Sequence, residues 1–159
     1  MSFLDQDEKL VELADEVQLV YSPIADVKDF PDGVDVTLIE GAVGNEEQLE
    51  LLKQVRRNSN VVVSLGDCAV TGNVAALRNS LSDSVESILK REFIENTTEK
   101  QQLPKDVPKL LTQAHALHEI VKVDFFLPGC PPSADLISYV LTEYISGRTP
   151  NIDNKFKYG

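Results

Sequence analysis

The chain has 159 residues, of which 42% are hydrophobic and 26% charged, a balance typical of one globular domain over residues 1–159. Fifteen basic residues against twenty-six acidic ones give a net charge of −11, which disfavours nucleic acid and anionic membrane surfaces as partners. No apolar run approaches the roughly 20 residues that span a bilayer, and no signal-peptide pattern opens the sequence, so a cytoplasmic location is expected.

The first half of the chain predicts a helix, a strand and a second helix. Leu10, Leu13 and Val17 recur at helical spacing close to the start. The segment VDVTLIEG (34–41) is rich in β-branched residues and predicts a strand. Asn45 can cap the next helix, whose first turn is acidic and whose last turn is basic, as the helix dipole favours.

The second half continues the alternation of strands and helices. NVVVSLGDC (60–68) predicts a buried strand and a glycine turn, followed by a polar loop that leads into further helices. The polar segment 95–108 contains two prolines and predicts a long surface connection. We then expect a short helix over LLTQAHALHEI (110–120), a strand over VKVDFFL (121–127) and a last helix that Gly147 ends.

Strands that alternate with helices predict an α/β fold with a doubly wound parallel sheet. Ligands of such sheets bind at the carboxyl ends of the strands. Three segments follow directly after predicted strand ends: Glu40 with Gly41, Gly66 through Cys68, and Gly129 with Cys130. We therefore expect both cysteines of the chain and one carboxylate to share one edge of the sheet.

Cys68 and Cys130 allow three interpretations: small hydrophobes that pack in a core, a disulfide, or metal ligands. A structural disulfide is rare in a reducing cytosol, whereas thiolates suit zinc and iron–sulfur clusters. In LPGCPPSAD, Gly129 allows a close approach, and Pro131 and Pro132 fix φ and remove two N–H donors. This stiffness favours a ligand, although a zinc ion or a cubane cluster needs about four protein ligands.

Three polar residues are candidates for additional ligands. His115 and His118 belong to the predicted helix over 110–120, away from the carboxyl-end edge, and are interpreted as surface or capping residues. Asp67, beside Cys68, is interpreted as a turn residue or as a residue that supports a ligand. The sequence therefore supplies two ligands of a set of four.

Three segments occur in a characteristic order: EGAVGNEE (40–47), SLGDCAVTGNV (64–74) and LPGCPPSAD (127–135). Together they resemble the small subunit of [NiFe] hydrogenases, most of all that of the soluble, bidirectional, NAD-reducing Hox type. The 20-kDa subunit of respiratory complex I is a more distant relative. The resemblance covers essentially the whole chain, and it implies a flavodoxin-like domain with one [4Fe–4S] cluster next to the nickel–iron site of a large subunit.

The resemblance also implies roles for individual residues. Cys68 and Cys130 correspond to two of the four cluster ligands. Glu40 corresponds to the acidic residue after the family's second core strand, and it is either a turn or helix-approach carboxylate or a residue with a role in proton movement or in the surroundings of the cluster. Asp67 and the backbone near Gly129 are expected to tune the cluster through hydrogen bonds.

The other two ligands are expected in a C-x-x-C loop that follows a first, central strand. Neither the loop nor that strand is in this sequence. In Hox-type chains the loop runs directly into a stretch similar to MSFLD, which opens this sequence. We therefore expect both further cysteines upstream of Met1, which would then be an internal methionine.

The implied function is electron transfer by a subunit that does not catalyse alone. Hydrogen is split at the large subunit, and electrons pass through the cluster toward flavin-containing diaphorase subunits that reduce NAD⁺. An additional FMN near this subunit is left open. Two alternatives are an iron–sulfur subunit of an NADH:quinone oxidoreductase-like complex, whose adjacent cysteines and glycine-rich run are missing here, and a truncated, cluster-free binding module.

Overall fold

A computed structural model of the chain describes residue 13 and residues 15–22, 27–98 and 101–153. The strands in this part of the chain are β1 (Val34–Glu40), β2 (Val43–Asn45), β3 (Ser59–Leu65), β4 (Leu110–His115) and β5 (Phe125–Leu127). The α-helices are α1 (Glu46–Asn58), α2 (Asp67–Thr71), α3 (Asn73–Ala76), α4 (Val85–Lys90) and α5 (Ala134–Ile145). Two 3-10 turns (Leu77–Ser80 and Leu117–Glu119) and one π-helical turn (Arg91–Glu95) connect them.

The central sheet contains β1, β3 and β5 in that order, and both strand pairs are parallel. Glu40 at the end of β1 pairs with Leu65 at the end of β3, and Leu65 pairs with Leu127 at the end of β5. The three strands therefore end in register at one edge of the sheet, which is the edge where ligands of parallel sheets bind.

Helices cover both faces of this sheet. Val62 and Val63 are fully buried neighbours on β3, and their side chains face opposite sides because side chains alternate along a strand. Val63 belongs to one core cluster with Ile137 and Val140 of α5. Val62 belongs to another cluster with Val55 of α1. The predicted α/β, doubly wound class is thereby confirmed.

The helix predicted after Asn45 is also confirmed. The Asn45 side-chain oxygen accepts a hydrogen bond from the Gln48 amide (2.8 Å), and the Gln48 side chain accepts one from the Gly44 amide (2.8 Å). These bonds satisfy amides at the start of α1 that have no partner within the helix. At the other end of the chain, Gly147 follows α5 with a φ of 70°, in the left-handed region that favours glycine.

The helix predicted over residues 110–120 is wrong. This segment instead forms β4, which pairs antiparallel with β2, and a 3-10 turn. Asn79 exchanges two hydrogen bonds with the backbone of Ala114 (2.7 and 2.8 Å), and Arg78 donates to the Leu111 carbonyl (3.0 Å). These contacts from distant residues satisfy the backbone in an extended conformation, so they override the local helical spacing.

Two other predicted boundaries differ from the structure. The strand over 121–127 is limited to β5, because the Val121 amide still bonds back to the Leu117 carbonyl (3.0 Å) in a turn. The polar loop predicted after Gly66 begins directly as helix α2. The long connection is confirmed in its described part, since residues 96–98 and 101–108 contain no helix or strand and are mostly exposed.

Most of the helix predicted at the start of the chain lies outside the described residues. Residues 13, 15 and 16 are helical, and the Val17 amide donates to the Leu13 carbonyl (3.1 Å). The strand expected upstream of Met1 stays a prediction. Within the described part of the chain, β1 is an edge strand of the central sheet. None of the helices described by the structure is long and apolar enough to cross a membrane.

Candidate functional site

The carboxyl ends of the parallel strands bring the predicted site residues to one edge of the sheet. β1 ends at Glu40, whose side chain is exposed, and Gly41 follows it with a φ of 89°. Residues 66–68, here called the Cys68 loop although Cys68 is already in the first turn of α2, follow β3. Residues 128–133, here called the Cys130 loop, follow β5. Because β3 lies between β1 and β5, the Cys68 loop is central and has the other two segments on either side.

The two cysteine loops are joined to each other by hydrogen bonds. The Gly66 amide donates to the Leu127 carbonyl (2.7 Å), and the Asp67 amide donates to the Gly129 carbonyl (2.9 Å). In return, the Gly129 amide donates to the Asp67 carboxylate (2.6 Å). Asp67 is only 4% exposed, so this carboxylate is an internal part of the structure rather than a surface turn residue.

Both cysteine loops contain a glycine with a positive φ. Gly129 has a φ of 135°, and a Cβ atom on it would lie 2.7 Å from the Cα of Pro132, closer than real contacts allow. Gly66 has a φ of 82°, and a Cβ there would lie 3.5 Å from the Gly129 carbonyl oxygen. The sequence indicated the need for glycine at position 129, but the packing of Pro132 against it was not foreseen.

Both cysteines have free thiols. The disulfide interpretation therefore does not describe this structure. Cys130 is exposed and Cys68 is half-buried, so neither of them is a core residue that packs as a small hydrophobe. The two accessible thiols therefore lie on neighbouring segments that hydrogen bonds join to each other.

The positions of the histidines differ from the prediction. His115 is at the end of β4, where it pairs with Val43 just beyond the end of β1, so it is neither on a helix nor far from this edge. Its Nδ1 atom is 2.8 Å from a carboxylate oxygen of Glu119. His118 packs edge-on against Phe126, with ring centroids 5.8 Å apart. Within the described ranges, no group of three or more His, Cys, Asp or Glu residues could hold a metal ion.

A second carboxylate, that of Asp124, lies at the opposite edge of the sheet, directly before β5. Asp124 accepts hydrogen bonds from the Val62 amide (2.9 Å) and from Arg56, and Lys122 lies 3.2 Å from its other oxygen. Burial alone would raise the pKa of Asp124, but the bonds from Val62, Arg56 and Lys122 outweigh burial and hold the pKa below its ordinary value. The role of this residue was not predicted from the sequence, because its partners are distant in the chain.

Two relatives of known activity are similar to this chain over most of its length. The NAD-reducing hydrogenase HoxS subunit delta of Cupriavidus necator is 37% identical over 154 residues, covering 93% of this chain and 73% of that protein. A subunit of the vhu F420-non-reducing hydrogenase of Methanocaldococcus jannaschii is 33% identical over 158 residues, covering 98% of this chain and 54% of that protein. The chain thus spans about half the length of this second relative.

A solved structure has the same fold. The crystal structure of NAD⁺-reducing [NiFe]-hydrogenase in the H2-reduced state contains a chain that matches with a TM-score of 0.91 and 38% identity. The match covers 100% of this chain and 90% of that one. The predicted resemblance to hydrogenase small subunits is therefore confirmed, together with the flavodoxin-like α/β fold that it implied.

A family match covers most of the sequence. Residues 1–144 match the family described as NADH ubiquinone oxidoreductase, 20 Kd subunit. This family is the more distant relative that the sequence motifs suggested, and the hydrogenase subunits named above are this chain's homologues. The chain therefore belongs to the family of the 20-kDa subunit of NADH:ubiquinone oxidoreductase.

Proposed function

We propose that this chain is the electron-transfer subunit of an NAD-linked [NiFe] hydrogenase, with Cys68 and Cys130 as two ligands of a [4Fe–4S] cluster. The observation that carries the proposal is the pair of free thiols on two hydrogen-bonded loops at the carboxyl edge of the sheet. The homology to hydrogenase subunits supports it.

The chemistry of the donor set fits half of such a cluster. Thiolates are the usual ligands of [4Fe–4S] clusters, and the sequence contains two cysteines where the cluster needs four. The other two are proposed to come from a C-x-x-C loop upstream of Met1. When bound, the cluster would accept and release one electron at a time between partner subunits.

The residues around the thiols have supporting roles in this proposal. Gly129 lets the backbone of the Cys130 loop approach the cluster closely, and Asp67 holds the Gly129 amide. Glu40 is exposed at the same edge of the sheet, so we assign it a role in proton movement or in the surroundings of the cluster.

The proposed partners are a nickel–iron large subunit and flavin-containing diaphorase subunits that reduce NAD⁺. Nickel, iron and NAD would be bound by these partners, and the complex would work in the cytoplasm. The net charge of −11 is unfavourable for binding nucleic acid, in agreement with purely protein partners. An FMN close to this chain is not part of the proposal.

One observation favours a second candidate. Because the sequence contains two cysteines and no larger metal-binding group among the described residues, a cluster-free binding module with the same fold is the alternative for the chain as printed. The two candidates differ in iron content. A quinone-linked iron–sulfur subunit would contain iron but would not copurify with a nickel–iron subunit.

The test begins with the reading frame. Translation of the DNA upstream of Met1 should reveal a strand followed by C-x-x-C, and a stop codon at that point would contradict the proposed ligand set. The full natural chain is then reconstituted anaerobically with iron and sulfide. We expect about four iron atoms per chain, as a [4Fe–4S] cluster requires.

Substitutions at the cysteines complete the test. Cys68→Ser and Cys130→Ser should each lose most of the iron, while the control His118→Ala should retain it. Unchanged iron content in Cys130→Ser would refute the ligand assignment. Copurification with a nickel–iron subunit and hydrogen-dependent reduction of NAD⁺ would identify the complex, and iron without either result would favour the quinone-linked alternative.

A further inference from the structure

The hydrogen bonds between the cysteine loops continue the pairing of β3 and β5 beyond the ends of both strands. The last pair in register is Leu65 with Leu127. The Gly66 amide then bonds to Leu127, and Asp67 and Gly129 bond to each other twice. The two loops therefore stay together after the sheet has ended.

Each member of the Asp67–Gly129 pair directly precedes a cysteine. Asp67 is followed by Cys68 and Gly129 by Cys130. The backbone is held one residue before each cysteine. Few torsion angles therefore remain that could change the distance between the two sulfur atoms. The Thr71 hydroxyl adds a bond to the Asp67 carbonyl (2.9 Å), which holds the same residue from inside α2.

The geometry requires, at position 67, a side chain of a particular length that ends in a hydrogen-bond acceptor. The Gly129 amide is directed at one oxygen of the Asp67 carboxylate, at 2.6 Å, inside a residue pair that is closed to solvent. Within the Cys130 loop, Pro132 lies directly against Gly129, so the segment around the Gly129 amide is compact. An asparagine could supply the same oxygen, whereas a glutamate would push the loops apart.

From these contacts we infer that Asp67 is a positioning residue that sets the separation of the Cys68 and Cys130 thiols for the cluster. The inference rests on the proposed function, because it needs the two thiols to be ligands. The added claim is that the side-chain length of Asp67 determines how firmly the cluster is held.

The experiment measures iron release from the reconstituted full natural chain. The rate of transfer of iron to the chelator bathophenanthroline is followed for the parent chain, Asp67→Asn and Asp67→Glu. We expect Asp67→Asn to release iron at a rate within about threefold of the parent, because its amide oxygen can still accept the Gly129 bond. Asp67→Glu keeps the charge but changes the length, and it should release iron at least about tenfold faster.

A matched control separates positioning from general destabilisation. Asp124→Ala removes the carboxylate at the other end of the same two strands, outside both cysteine loops, and is expected to lower stability because the Val62 amide loses its acceptor. It should release iron at the parent rate. Equal acceleration in Asp124→Ala and Asp67→Glu would overturn the inference, as would fast release from Asp67→Asn together with slow release from Asp67→Glu.

The outcome for the ligands is independent of the outcome for Asp67. If Cys130→Ser retains its iron, the proposed function fails and the thiols are not ligands. If Cys130→Ser loses its iron but all Asp67 variants behave as the parent does, the proposed function stands and the positioning role is refuted. Should Asp67→Glu fail to fold, Asp67→Ser, whose hydroxyl is too short to reach Gly129, takes its place with the same expectation.

Discussion

An aspartate lies at each end of the β3–β5 strand pair, but the two aspartates have different surroundings. At the amino end, Asp124 is a partly exposed surface residue that binds the Val62 amide and the cations Arg56 and Lys122. At the carboxyl end, Asp67 is almost completely buried and bonds to the backbone of Gly129.

The two ends also differ in the kind of contact that they make and in their accessible groups. At the amino end, Asp124 makes several contacts, which include ion pairs with Arg56 and Lys122. Neither cysteine of the chain is at this end. The carboxyl end uses glycines, prolines and a buried carboxylate, and it presents two accessible thiols. The ion pairs of Asp124 and the two thiols therefore lie at opposite ends of the same two strands, and ligands of parallel sheets bind at the carboxyl end.

The largest expected effect of a single substitution is at Gly129. Gly129→Ala puts a methyl group 2.7 Å from the Cα of Pro132, at a φ of 135° that alanine rarely adopts. We expect a loss of about 3 kcal/mol in the free energy of unfolding, measured by urea titration. The control Gly147→Ala, with a φ of 70° and no atom within 4 Å of the new Cβ, should cost only about 1 kcal/mol. Equal costs would show that packing at the cysteine loop is not tight.

A smaller effect is expected at the amino end. Asp124→Ala leaves the Val62 amide and Arg56 without this acceptor, and should reduce the free energy of unfolding by about 2 kcal/mol. Lys122→Ala, the control, removes an exposed cation and should cost no more than about 0.5 kcal/mol. Alkylation rates of Cys68 and Cys130 should not change in either variant. A changed rate would mean that the two ends of the strands are coupled.

The smallest effect is the pH dependence of the same contact. The pKa of Asp124 in the folded chain lies below its ordinary value of 3.8, because its hydrogen bonds outweigh its burial. The stabilisation is therefore fully present above that ordinary value and is lost as the pH falls through the lower, folded value. In urea titrations at a series of pH values, Asp124→Asn should lose less stability than the parent chain below a pH of about 4. Parallel losses in both proteins would assign the acid sensitivity to other groups.

Much of the site could be predicted from sequence because its signals are local. Asn45 and the charges of α1 marked the helix, β-branched runs marked β1 and β3, and both cysteines follow strand ends. The parallel arrangement then implied a common edge for these ends. The three motifs around Glu40, Cys68 and Cys130 were also sufficient to indicate the family.

The remaining features depend on partners that are far away in sequence. Residues 110–120 have helical spacing, yet Arg78 and Asn79 bind the backbone of the first part of this segment, which forms strand β4. No local pattern encodes such a contact, because the free energy of an extended backbone depends on which groups satisfy its hydrogen bonds.

The class of fold and the position of each thiol after a strand could be inferred from sequence alone, because spacing and residue type act over a few neighbouring residues. The family was indicated by the resemblance of three motifs. Only the tertiary structure decided what the two aspartates do. Asp67 meets Gly129, and Asp124 meets Val62, across 62 positions of the chain in each case. Such contacts exist only after the strands have paired, since pairing is what brings these residues within hydrogen-bonding distance.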